Sequence, residues 1–288
     1  MAEFQTFRYK SLAELQADIK RLDLPMATTE DTAALKQEVK IGSKKTANSY
    51  CVLPMEGCDA NLDGSPSELT IRRYHRFAHG GAGLVWFEAC AVVNEGRANP
   101  RQLCLKPEFL SQMRKMLQEM DEISMEANGY KQLKVLQLTH SGRYSKPDGT
   151  PKPIVLQHDP NLDPGVGIAP DDDSAIISDE GLEALVQAYI DTAVLAKKAG
   201  FDGVDIKSCH RYLISEMLAG FMRPGKYGGS FENRTKILMD IVRGVRKAAG
   251  DDFILAARFP VFDALPYPYG FGTFEDRTEP NQIGRAHV

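Results

Sequence analysis

A chain of 288 residues, 43% hydrophobic and with a net charge of −4 from 35 basic and 39 acidic residues, can bury a large core as one α/β barrel or as two smaller domains. It has no block of like charge beyond Asp171-Asp172-Asp173, which argues against a basic nucleic-acid face, and no apolar run near the ~20 residues that cross a bilayer. The expectation is a cytoplasmic protein with a small-molecule partner, without nucleic acid or membrane, and with a homo-oligomer left open.

Residues 1–40 are charged and helical in period, and are expected to form an N-terminal cap or extension. Strand-like apolar runs then alternate with helix-period segments, the pattern of βα units around a parallel sheet. Residues 49–55 read as the first strand and 67–79 as a helix. Residues 83–89 read as the second strand, with Trp86 in the core, and 108–128 carry Phe109, Met113, Met116, Leu117 and Met120 at helix period. A third strand over 135–140 precedes a long Pro- and Asp-rich loop to residue 178. A helix over 179–198, stopped by Gly200, leads to a fourth strand over 203–207. A short helix over 213–219, a longer one over 231–249 capped by Ser230, and a fifth strand over 254–260 complete the reading. No Gly-x-Gly-x-x-Gly follows the first strand, where Pro54-Met55-Glu56-Gly57 stands instead, and this weakens a dinucleotide-fold reading. The five cysteines are scattered and odd in number, so they read as reduced thiols with no disulfide framework and no metal site. Cys58 and Cys209 lie near strand ends, and are expected as small buried thiols.

The fourth strand ends in Lys207, with His210 and Tyr212 close behind. Ligands of parallel α/β folds bind outside the carboxyl ends of strands, which makes this polar cluster a site candidate. Gly203-Val204-Asp205-Ile206, then His210-Arg211-Tyr212-Leu213, then Tyr227-Gly228-Gly229-Ser230-Phe231-Glu232-Asn233-Arg234, in this order, resemble the old yellow enzyme family of FMN-dependent NAD(P)H:flavin oxidoreductases. The resemblance covers roughly residues 40–262. It implies a TIM (β/α)8 barrel of which about the first five βα units are present, as a partial FMN-binding barrel over residues 41–282.

By the same resemblance the strand ends carry the cofactor. Pro54, Met55 and Glu56 match the segment that lies along the flavin, and Ala89 the small residue that lets the ring approach. Gln137, in Gln137-Leu138-Thr139-His140-Ser141-Gly142-Arg143, would bond the flavin pyrimidine, and Arg258 would lie near its N1 and O2 and favour negative charge there. Taken singly, Gln137 reads as well as a core amide and Arg258 as an ion-pair member; their order along successive strand ends favours the flavin. Lys207, His210 and Tyr212 share the family's offsets for substrate catalysis. His210 would donate to the substrate carbonyl oxygen and Tyr212 would protonate the α-carbon. Lys207 departs from the pattern, which usually has a histidine or a neutral hydrogen-bonding residue there; it would serve the oxyanion or the flavin edge, or form a salt bridge with Asp205 or Glu88. Tyr227-Gly228-Gly229-Ser230 is expected as a turn with glycines at positive φ, and Glu232 and Arg234 as braces for the following helix. The arginines within residues 94–101 face either an acidic or CoA-bearing substrate or solvent, and Glu56 and Asp59 are candidate pocket acids.

Two other functions remain open on these residues. Lys207 could act as a Schiff-base nucleophile in an aldolase-like barrel with Tyr212 as relay, or the chain could be an inactive fragment. Five strands fall short of a closed barrel. Residues 283–288 can be read back as codons resembling a sequencing-library adapter, so the gene product is expected to diverge near Gln282, leaving a non-native tail. The resemblance places the FMN phosphate on segments after the last strands, so weak or no FMN retention by these residues is expected; NAD(P)H is the implied reductant. An iron-sulfur cluster, carried by some larger members, would belong to the missing C-terminal part.

Overall fold

The computed structural model describes residues 7–273, so the expected divergence near Gln282 and the 283–288 tail lie outside the described residues. The N-terminal segment forms helix α1 (Leu12–Arg21), whose cap Ser11 accepts the Glu14 N–H, and then a small antiparallel hairpin of β1 (Lys40–Ile41) and β2 (Lys44–Lys45). The helical period of the N-terminus matches α1. The hairpin escapes a sequence reading because two-residue strands show no alternation.

Five further strands make one parallel sheet in strict chain order: β3 (Cys51–Val52), β4 (Leu84–Ala91), β5 (Leu133–Thr139), β6 (Gly203–Lys207) and β7 (Ile254–Arg258). Between them run α2 (Glu68–His79), α3 (Leu110–Asn128), the single turn α4 (Asp163–Val166), α5 (Asp179–Ala199), α6 (Leu213–Leu218) and α7 (Phe231–Ala249). Consecutive parallel strands with intervening helices are the first five units of a (β/α)8 barrel. The first strand is shorter than expected, since only Cys51 and Val52 pair, with Leu84 and Val85. Pro54 lacks the N–H that would extend the ladder.

Val85, Phe87, Cys90, Leu136, Leu138, Val204 and Ile206 join the buried cluster beneath the helices. Tyr74 of α2 stacks on Phe87 with ring centroids 3.8 Å apart, and Phe201 meets the same ring edge-on at 4.8 Å. Burying one such side chain contributes about 1.5–3 kcal/mol. Phe87 and Cys90 are three apart yet both face the helices, because the register of β4 slips between Phe87 and Ala89. This β-bulge at Glu88 switches the parity of the strand and brings Ala89 level with Gln137 on the other face. Gly203 is demanded by close approach: a Cβ there would stand 2.3 Å from the Ile254 carbonyl oxygen on the adjacent strand.

Candidate functional site

Gln137, Asp205 and Lys207, at odd positions of β5 and β6, stand outside the apolar cluster and form a polar row. Ala89, Gln137, Asp205 and Ala256 are register partners across β4 to β7, and Lys207 and Arg258 pair two residues further toward the strand ends. Gln137 Nε2 donates to Asp205 Oδ2 at 2.6 Å and Trp86 Nε1 donates to the same oxygen at 3.1 Å. Trp86 is therefore half-buried with a polar partner, in place of the core role expected of it. Asp205 Oδ1 is buried without a partner among the described residues. Burial raises the Asp205 carboxyl above its ordinary range, outweighing the bonds from Gln137 and Trp86 and the nearby charges of Arg258 and Lys207.

Lys207 is 4% exposed, and its partner is Glu56, not the expected Asp205 or Glu88. Lys207 Nζ stands 3.1 Å from Glu56 Oε1 and 4.1 Å from the centroid of the Tyr212 ring, a salt bridge and a cation-π contact on one ammonium. Glu88 is claimed from the other side by Arg73 at 2.5 Å, by the Tyr74 hydroxyl and by the Gly57 N–H. Arg73 also grips Asp59 with two bonds of 2.8 and 3.0 Å, so Asp59 is a structural tie to α2 and not a pocket acid. These bonds fasten residues 57 and 59 to the barrel and so present Glu56 at the mouth. Pro54 is half-buried and Met55 is 76% exposed. Arg258 is exposed and has no ion pair among the described residues.

His210 and Arg211 both have left-handed backbones, with φ of 63° and 55°. Each such non-glycine residue costs about 1–2 kcal/mol. His210 is exposed, and partial burial together with Lys207 and Arg258 lowers its imidazole below the ordinary value, which keeps it neutral. Tyr212 precedes α6 and its ring lies 6.3 Å from His210 and 6.1 Å from Tyr144. Burial, followed by the charge of Glu56, raises its phenol far above the usual value, so it stays protonated at neutral pH.

Behind these residues lies an ionic bracket that the sequence did not reveal. Arg143, 1% exposed, pairs with Glu216 at 2.6 Å and with Asp163, while Arg211 pairs with Asp263 at 2.9 Å and Asp159 at 3.3 Å. Its one sequence signal is the density of aspartates in the loop before residue 178. His140 is buried, its Nδ1 accepts the Gly142 N–H at 3.0 Å, and burial pushes its pKa down to about 4. The imidazole is therefore neutral with its proton on Nε2.

Other expectations sort as follows. Arg97 is buried and donates to the carbonyls of Gln102, Leu62 and Pro100, so it is neither solvated nor open to substrate. Ser230 caps α7, and Gly229 has φ of 79°; Gly228 is required by close approach instead, since a Cβ would stand 2.2 Å from the Arg223 carbonyl oxygen. Arg234 braces α7 by donating to Leu218 O at 2.5 Å, whereas Glu232 is exposed. All five cysteines are free; Cys209 is buried as expected, but Cys58 is exposed, with φ of 49°. Among the described residues no group of three His, Cys, Asp or Glu side chains could hold a metal, and no helix is long and apolar enough to cross a membrane.

Residues 35–272 match the profile of the NADH:flavin oxidoreductase / NADH oxidase family. The chain is 30% identical over 228 residues to an NADH oxidase of Thermoanaerobacter brockii, covering 78% of this chain and 34% of that protein. It is 31% identical over 238 residues to a cinnamate reductase of Clostridium sporogenes, covering 79% and 34%. Old yellow enzyme from Pichia sp. AKU4542 shares the fold with a TM-score of 0.65 at 21% identity, over 83% of this chain and 62% of that one. The chain thus spans about a third of the length of these two curated relatives.

Proposed function

This chain belongs to the NADH:flavin oxidoreductase / NADH oxidase family, and from that premise we propose that it serves an FMN-dependent oxidoreductase that takes hydride from NAD(P)H and delivers it to an activated carbon-carbon double bond. The substrate class is an enoate, an enone or an enoyl thioester. The observation that carries the reading is the polar row at the strand ends: small Ala89, the Gln137 amide, and the cations Lys207 and Arg258 side by side.

These residues fit a flavin. Gln137 commits an amide N–H to Asp205, which leaves its carbonyl oxygen for the pyrimidine edge of the ring. Ala89, with only a methyl group, leaves room for a flat ring beside it. Lys207 and Arg258 would hold negative charge at that edge. Pro54, Met55 and Glu56 would border the ring on the side of β3. FMN, when bound, supplies the group that accepts and donates hydride.

The remaining chemistry belongs to side chains of this chain. His210, neutral and exposed at the mouth, would donate an N–H to the substrate carbonyl oxygen and stabilise the negative charge that develops there. Tyr212, held protonated, would give its proton to the α-carbon. Lys207 is paired to Glu56 and laid against Tyr212, two contacts that a Schiff-base nucleophile would have to leave.

The test is NADH and NADPH oxidation with FMN and cinnamate, in the wild type and in the H210A and Y212F variants. Enoate-dependent turnover reduced roughly 10²-fold or more by H210A supports the proposal. Turnover indifferent to both variants, or borohydride trapping of a carbonyl compound on Lys207, contradicts it.

A further inference from the structure

His210 and Arg211 stand together at positive φ, which costs non-glycine residues, and among the described residues no hydrogen bond of the His210 ring holds it there. Strained backbone persists only where the surroundings over-determine it. At this turn the surroundings act through Arg211. Its Nη1 donates to Asp263 Oδ2 at 2.9 Å, and its Nη2 donates to Asp159 Oδ2 at 3.3 Å. The two carboxylates come from different segments, Asp159 from the long loop after β5 and Asp263 from the stretch after β7. Asp159 is itself fixed by accepting the Asn161 N–H, and Asp263 by accepting the Phe271 N–H, both at 2.9 Å. The side chain of residue 211 is thus anchored on two sides while its own backbone is strained.

We propose that Arg211 is a positioning residue: by bridging Asp159 and Asp263 it locks the left-handed turn after β6 and so fixes His210 at the barrel mouth. The role assigned to the His210 imidazole rests on the function proposed above; the lock on its backbone does not. The lock makes His210 sensitive to a segment more than fifty residues further along the chain, because Asp263 supplies the shorter of the two bonds.

The experiment compares the wild-type chain with R211A and R211G by backbone NMR, reading the Cα and Cβ shifts of His210, which report φ, together with Tm. Alanine removes the ion pairs and keeps the left-handed penalty, whereas glycine removes both. The expected result is loss of the left-handed signature at His210 in R211A and in R211G alike, since neither can bridge Asp159 and Asp263, with R211A melting no higher than R211G because glycine also relieves the penalty at residue 211. A left-handed His210 retained in both variants overturns the proposal. If R211A does not fold, D263N carries the test, since it weakens the shorter bond without altering residue 211. Altered His210 shifts in D263N support the lock, and wild-type shifts overturn it. Failure of the functional reading looks different: H210A then turns over enoates like the wild type while the R211A shifts still move.

Discussion

The Lys207 ammonium and the Glu56 carboxylate meet at 3.1 Å although 151 residues separate them, which joins the segment after β3 to the end of β6 across the barrel mouth. The pair links the two halves of the proposed flavin site and places a lysine where the resemblance implies a histidine or a neutral hydrogen-bonding residue. A double-mutant cycle of E56Q and K207M, read by thermal unfolding, is expected to give a coupling of about 1–3 kcal/mol. Additive effects within about 0.5 kcal/mol would mean that the contact does no energetic work.

Trp86 and Asp205 provide a built-in reporter. Trp86 is the only tryptophan, and its indole N–H is bonded to the buried carboxylate. Because burial raises the folded-state value of Asp205, its favourable contribution is fully present below the ordinary value of about 3.9 and is lost as pH rises through the folded value. Trp86 emission is expected to titrate above the ordinary carboxylate range, and D205N to abolish that step. D205N should also gain stability relative to the wild type as pH rises through the same range.

His140 works in the opposite direction. Its folded value of about 4 lies below the ordinary value of 6.5, so the unfolded chain binds the proton more readily between those limits and stability falls as pH drops from 6.5 to 4. The loss attributable to this one group is about 3 kcal/mol. Urea unfolding of the wild type and H140N at several pH values should show the two curves converging by that amount toward pH 4.

Arg143 and Glu216 test the bracket behind the site. R143M removes the shared cation of two buried carboxylates, leaving Glu216 to Arg211 at 4.0 Å and Asp163 to His158 at 2.8 Å, and is expected to cost about 3–5 kcal/mol. A triple change of Arg143, Glu216 and Asp163 to apolar residues of similar volume should recover much of that loss. Unfolding midpoints in urea decide both expectations.

The sheet was legible because buried parallel strands are short apolar runs. Gly203 to Lys207 was bounded correctly, and β4, β5 and β7 were each placed within two residues. The first strand was over-read, because Leu53 and Met55 are apolar but exposed, and apolarity alone does not show whether a neighbouring strand is in reach. Within the candidate site the identities of Gln137, Lys207 and Arg258 could be read from their order along the chain, since each closes or nearly closes a strand. Their partners could not. The Glu56–Lys207 pair and the Arg211 bridge join segments far apart in sequence, and a carboxylate in a loop looks the same whether it is solvated or buried against an arginine. The bulge at Glu88 was also hidden, because one extra residue in an apolar strand changes parity without changing composition.

The proposed function requires above all that FMN meet Gln137 and Arg258 at the strand ends. Equilibrium titration of FMN, followed by flavin fluorescence, reads even weak binding in the wild type, Q137A and R258A, with K45A in the distant N-terminal hairpin as the control. Saturable quenching that each site variant weakens by about tenfold or more, equivalent to about 1.4 kcal/mol, and that K45A leaves unchanged is the predicted result. Saturable binding that is indifferent to both Gln137 and Arg258 would contradict the flavin site.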